Sequence, residues 1–157
     1  MHAPVDGNDW LAVVDEDLDL AKVSEWAVLP SCGALACFVG TVRDHAEGRV
    51  GIEAIDYEVF ETETLSRMAV IAAEVRKRWP VLGRLAILHR RGRVELGGAS
   101  VLVAGSTPHR GEAFAAVSHC MELVKATLPV WKKEHWPGGE GWALASRPVS
   151  EPGSLVE

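Results

Sequence analysis

The stretch ASVLVAGS, Ala99 to Ser106, is almost wholly apolar, and it is followed at once by a turn-forming Thr-Pro pair. A strand with no polar face belongs in the middle of its sheet. It follows RLAILHRRGRVE, from which the LGG of Leu96–Gly98 separates it. The two therefore read as a strand pair joined by a glycine turn. After the Thr-Pro turn, HRGEAFAAVSHCMELVKATL carries Phe114, Val117, Met121 and Val124 at helical spacing, up to Pro129. This predicts a long helix burying those residues.

The remaining segments fit around that unit. DWLAVVDE predicts a strand, and LDLAKVSEWAVL a short helix packing Leu20, Val23 and Ala27. Cys32–Val42, with its small, β-branched and aromatic residues, predicts a largely buried strand. The RDHAEGR loop turns at Gly48, and Gly51–Phe60 is expected to pair back on the preceding strand. ETETLSRMAVIAAEVRKRW repeats Leu65, Met68, Ala69, Ala72, Val75 and Trp79 at helical spacing. Its glutamates lie at the start and its RKR at the end, as the helix dipole favours, and Pro80 stops it. VWKKEHW is short and extended, PGGEG is a turn, and WALASRP reads as a final strand. Consecutive strands favour an α+β fold over an alternating parallel one. At 157 residues one domain is expected, with a core over about residues 9–145 and a loose tail over about 148–157.

A net charge of −6 argues against a general nucleic-acid binder, though not against a small anion held by a local cluster of cations. Neither a secretory leader nor an apolar run of about 20 residues is found, so the cytoplasm is expected, with no membrane partner. Cys32, Cys37 and Cys120 lack zinc-ligand spacing and read as buried reduced thiols. The histidines are scattered, and no metal or cofactor is expected. No nucleophile elbow, P-loop or dinucleotide fingerprint occurs.

Three stretches put cations where structure alone does not ask for them. Arg43 follows a strand end in GTVRDH, where it can pair with Asp44 or Asp56 or meet a ligand. His109 and Arg110 open a helix, a place that suits an anion and disfavours a cation; Glu112 is the alternative partner. In LVKATLPVWKKE, Lys125, Lys132 and Lys133 bracket a proline-bent turn. A lysine pressed against apolar walls loses solvation and becomes a usable base. The alternative is that its stem lies on the surface and its head stays wet.

FVGTVRDH, STPHRGEAF and LVKATLPVWKKE, in that order, resemble the catalytic large subunit of molybdopterin synthase, with the likeness running from about Asp9 to Ala145. The resemblance implies an α/β hammerhead with an additional antiparallel β subdomain. It implies a sulfurtransferase that converts cyclic pyranopterin monophosphate to molybdopterin. Sulfur comes from the C-terminal Gly-Gly thiocarboxylate of a small ubiquitin-like partner, and a central homodimer carries one partner at each end of a heterotetramer. By motif, Lys125 and Lys132 would be the catalytic pair. Thr41, Val42, Arg43, His109, Arg110, Lys133 and Glu134 would join them in binding substrate, with His109 and Arg110 open to serving the neighbouring copy's pocket. Thr41 departs from relatives in which a basic residue precedes the Val-Arg pair. Tail and substrate are both anions, and two unit charges at ~4 Å repel by about 4 kcal/mol at an effective dielectric of 20. Fixed cations offset that cost and stabilise developing charge. The competing reading is a non-catalytic adaptor that docks a ubiquitin-like tail, which needs a carboxylate site but no phosphate site.

Overall fold

In the computed structural model, which describes residues 1–144, the chain runs β1 (Asp9–Val14), α1 (Leu20–Ala27), β2 (Ala34–Thr41), β3 (His45–Ala46) and β4 (Arg49–Val50). It continues with β5 (Ala54–Val59), α2 (Glu61–Arg78), β6 (Leu85–Arg90) and β7 (Gly92–Glu95). β8 (Ala99–Thr107), α3 (Arg110–Thr127), β9 (Val130–Trp136) and β10 (Gly139–Trp142) complete it. The expected tail, and all of the expected final strand beyond Leu144, lie outside the described residues.

β8 is interior, as its composition demands: the first sheet has the order β1-β6-β8-β2. Strand alternation gives it two apolar faces. Leu85, Ile87, Val101 and Val103 meet Met68, Ile71 and Val75 of α2 and Val117, Cys120 and Val124 of α3. Ala86, Leu88, Leu102 and Ala104 face the other way, clustering with Trp10 of β1 and Val23 of α1. The sheet is thus covered on both sides, which explains why β8 has no polar face. Arg76, near the end of α2, bonds Asp9 at 2.5 Å and the carbonyls of Leu82 and Gly83, fixing the helix end to β1.

The second sheet, β10-β9-β5-β7, is wholly antiparallel and carries its own apolar cluster of Val42, Ile52, Tyr57 and Val94. It forms the extra antiparallel subdomain, and the fold is α+β. The chain changes sheets between β6 and β7 at Gly92, whose φ of 87° is one that few side chains tolerate.

Several expectations give way here. β5 does not pair back on β2. Its neighbours are β7 and β9, while β2 pairs with β8 as an edge strand. Only Ala36 of β2 is buried, and Cys37 is exposed. RLAILHRRGRVE is two strands, one in each sheet. Phe114 is 68% exposed and Leu20 is also exposed, while Ala69 yields its place in the core to Ile71. Helical spacing identifies a face but not whether the same chain covers all of it. Cys120 is buried as expected, and burial pushes its thiol up to about 12. No helix among the described residues is long and apolar enough to cross a membrane.

Candidate active site

The two sheets and the end of α3 enclose a cavity of about 830 Å³. Each wall delivers its cation by a simple local device. β2 bulges between Gly40 and Thr41. Val42 is then anchored by backbone bonds with Gly98 (3.0 Å) and Gly97 (2.8 Å), and its side chain is buried in the second sheet's core. That turn throws Thr41 and Arg43 to the cavity rim. Arg43 Nε donates to the His45 carbonyl at 2.9 Å. Its expected structural partners are engaged elsewhere, Asp44 with His45 and Asp56 with His135.

Lys125 stands in the last turn of α3, exposed, with its amine 5.9 Å from the centroid of Phe38. After Leu128 and Pro129 the chain enters β9, where alternation sorts the charges. Lys132 and Glu134 pair across the sheet with Tyr57 and Ile55, and all four line the cavity. Lys133 pairs with Asp56 on the opposite face and is bonded to Glu140. The cavity therefore gathers Arg43, Lys125, Lys132, Glu134 and Thr41, and leaves out Lys133 and Val42.

Lys132 reaches water at the cavity mouth yet is ringed by protein. That desolvation, then the Lys125 ammonium and Arg43, lower its pKa from the ordinary lysine value, with Glu134 opposing them. Glu134 is buried and held by Arg49, whose Nη1 donates to Oε2 at 2.6 Å.

Three residues of the cavity floor escaped the sequence reading. His89 is 6% exposed, and burial is the main reason its pKa falls to about 4. Its Nδ1 lies 2.8 Å from the Arg90 carbonyl, so Nδ1 carries the hydrogen. Tyr57 packs edge-on against that ring at 5.4 Å, and burial raises its phenol above the usual range. Ser100 bonds the Gly40 carbonyl at 3.3 Å beside them. A lone histidine in an apolar strand gives no signal in sequence. Nor does Arg49, which ends the polar RDHAEGR stretch in sequence and opens β4 in the structure.

His109 and Arg110 are exposed at the opposite end of α3 and do not line this cavity. Arg110 to Lys125 spans about 22 Å of helix rise. No ion pair joins Arg110 to Glu112 among the described residues.

The profile of the MoaE protein family matches residues 13–127. The chain is 38% identical over 134 residues to the molybdopterin synthase catalytic subunit of Taeniopygia guttata, covering 85% of this chain and 86% of that protein. It is 37% identical over 131 residues to the catalytic subunit of Halalkalibacterium halodurans, covering 83% of each.

The chain belongs to the MoaE family.

The crystal structure of molybdopterin synthase from Staphylococcus aureus superposes with a TM-score of 0.77 at 32% identity, covering 83% of this chain and 93% of that one. The MoaE protein of Burkholderia ambifaria gives 0.74 at 38% identity, covering 86% and 88%. Arg43, His109, Arg110 and Lys125 fall inside the family-profile span, while Lys132 and Glu134 follow it on β9.

Proposed function

We propose that this chain is the catalytic subunit of a cytoplasmic molybdopterin synthase. It converts cyclic pyranopterin monophosphate to molybdopterin with sulfur from the thiocarboxylate tail of a small ubiquitin-like partner. Membership of the MoaE family supports the reaction. The observation that carries the site is the convergence of Arg43, Lys125 and Lys132, from three separate elements, on one cavity. A thiocarboxylate and a phosphate entering together need that positive charge. The cations lower the repulsion between the two anions and stabilise charge that builds as sulfur attacks. Lys132 is the group suited to moving a proton, because burial and the neighbouring cations lower its pKa from the ordinary lysine value. Lys125, exposed in the last turn of α3, fits a role in gripping the tail or substrate.

His109 and Arg110 are read as serving a second copy of the chain. The exposed edge of β2 and the exposed Phe114 on α3 support a face between copies. Taken within one chain, the same distance from the cavity favours the adaptor reading, because a docked carboxylate does not need that pair.

Mixing the protein with its thiocarboxylated partner and the pyranopterin tests the proposal by dithiolene formation. Lys125→Ala should lower turnover by roughly 10²-fold through loss of charge stabilisation while the complex still assembles. Normal turnover by that variant removes Lys125 from the mechanism. Binding of the partner tail without binding of the pyranopterin hands the site to the adaptor reading.

A further inference from the structure

Glu134 is a carboxylate in a cavity built from cations, two residues from Lys132 on the same face of β9. Left alone, it would close on that ammonium, because a partly dry pair of opposite charges attracts strongly. It pairs instead with Arg49. Arg49 Nη1 donates to Glu134 Oε2 at 2.6 Å and to the carbonyls of Gly141 (3.2 Å) and Trp142 (2.8 Å). Its guanidinium carbon lies 4.6 Å from the centroid of the Trp136 ring. The Arg49 side chain is 17% exposed and that of Glu134 5%, so the pair is poorly screened by water.

Arg49 also opens β4, pairing with Ala46 in the hairpin that supplies His45, Ala46 and Glu47 to the cavity wall. We propose that Arg49 is a positioning residue: its ion pair holds Glu134 away from Lys132 and seats the β3–β4 hairpin as a wall of the cavity. This rests on the sulfur-transfer reading, in which Lys132 moves a proton. Lys132 faces Arg43 from the loop after β2, His45 and Glu47 from the hairpin, and Tyr57 from β5. His89 of β6 and Glu122 and Lys125 of α3 complete its charged and titratable surroundings. Glu134 is the buried carboxylate of this set, and so the one whose release changes the balance most.

The test is titration of the Lys132 amine by lysine side-chain NMR in the full chain, with Arg49→Gln, Arg49→Lys and the Arg49→Gln/Glu134→Gln double variant. Glutamine keeps a donor for the Gly141 and Trp142 carbonyls but carries no charge. R49Q should make Lys132 a weaker acid by about tenfold, one pKa unit. R49K should leave it at the wild-type value, and the double variant should show no rise. An unchanged midpoint in R49Q overturns the proposal, as does an equal rise in the double variant or in R49K. Should R49Q not fold, R49K decides by the same criterion: the wild-type midpoint supports the proposal and a tenfold rise overturns it. The titration uses neither substrate nor partner, so its failure leaves the sulfur-transfer reading to be judged separately by turnover.

Discussion

His89 follows four buried apolar residues, Leu85 to Leu88, in β6, and its burial favours the neutral ring. Its folded pKa of about 4 lies below the ordinary 6.5, chiefly through burial, with Lys132 adding to the effect. The imidazolium is therefore the disfavoured form in the fold. The stability of the buried neutral ring is fully present above pH 6.5 and is lost as pH falls from there towards 4. A shift of this size corresponds to about 3 kcal/mol. Denaturant unfolding at pH 7.5, 5.5 and 4 should show this loss, and His89→Gln should flatten it. An equally steep acid limb in the variant would assign the loss to other groups. At this scale the sequence revealed residues that break local rules. Arg43 follows an apolar run and Lys132 a proline-bent turn beside Trp131, whereas Lys125 closes a helix, where a lysine suits the dipole and draws notice only with the others. His89, Tyr57 and Arg49 break no rule. An isolated polar residue in a strand or a loop arginine becomes informative only when its neighbours in space are known.

Among the elements, the helices were the most legible, because a 3.6-residue repeat over eighteen residues survives a few misplaced positions. Strand pairing was not. Ala34, Ala36 and Gly40 make β2 look interior, yet it is an edge strand, since small residues alone do not distinguish the two. Nothing local in RLAILHRRGRVE announces that Gly92 carries it from one sheet to the other, because each strand's partner lies far along the chain. β2 also carries a device that places the site. At Gly40, a Cβ would lie 2.6 Å from Val101 Cγ1, on a strand whose next residue bulges to aim Thr41 and Arg43 at the cavity. Val101 is β-branched and stiff, so it yields little room. Gly40→Ala should cost about 1–3 kcal/mol in denaturant unfolding and weaken pyranopterin binding by displacing Arg43. Val101→Ala opens space for the new methyl, so the cost of the Gly40 change should shrink in that background. If the cost is the same with either residue at 101, the clash is not its cause.

On the scale of the whole molecule, the two sheets stand apart and the cavity fills the space between them. This is why the site draws on β2, β5, β6, α3 and β9 rather than on one motif. α3 sets the limit of what a single copy can do. It is a continuous helix with Arg110 at one end and Lys125 at the other, and about 22 Å of rise separates them. A small phosphorylated heterocycle cannot touch both within one chain. In a symmetric pair, each copy can offer its His109 and Arg110 to the other's cavity, because a two-fold axis makes every such exchange reciprocal. Complementation separates the two cases. Lys132→Ala and Arg110→Ala chains, each inactive as a homodimer, are unfolded together and refolded as a mixture. If the pocket is shared, a mixed dimer holds one pocket with both residues intact and one with neither. Random pairing should then restore roughly a quarter of wild-type turnover. If Arg110 acts only on its own chain's cavity, every pocket in the mixture lacks one group, and mixing restores nothing.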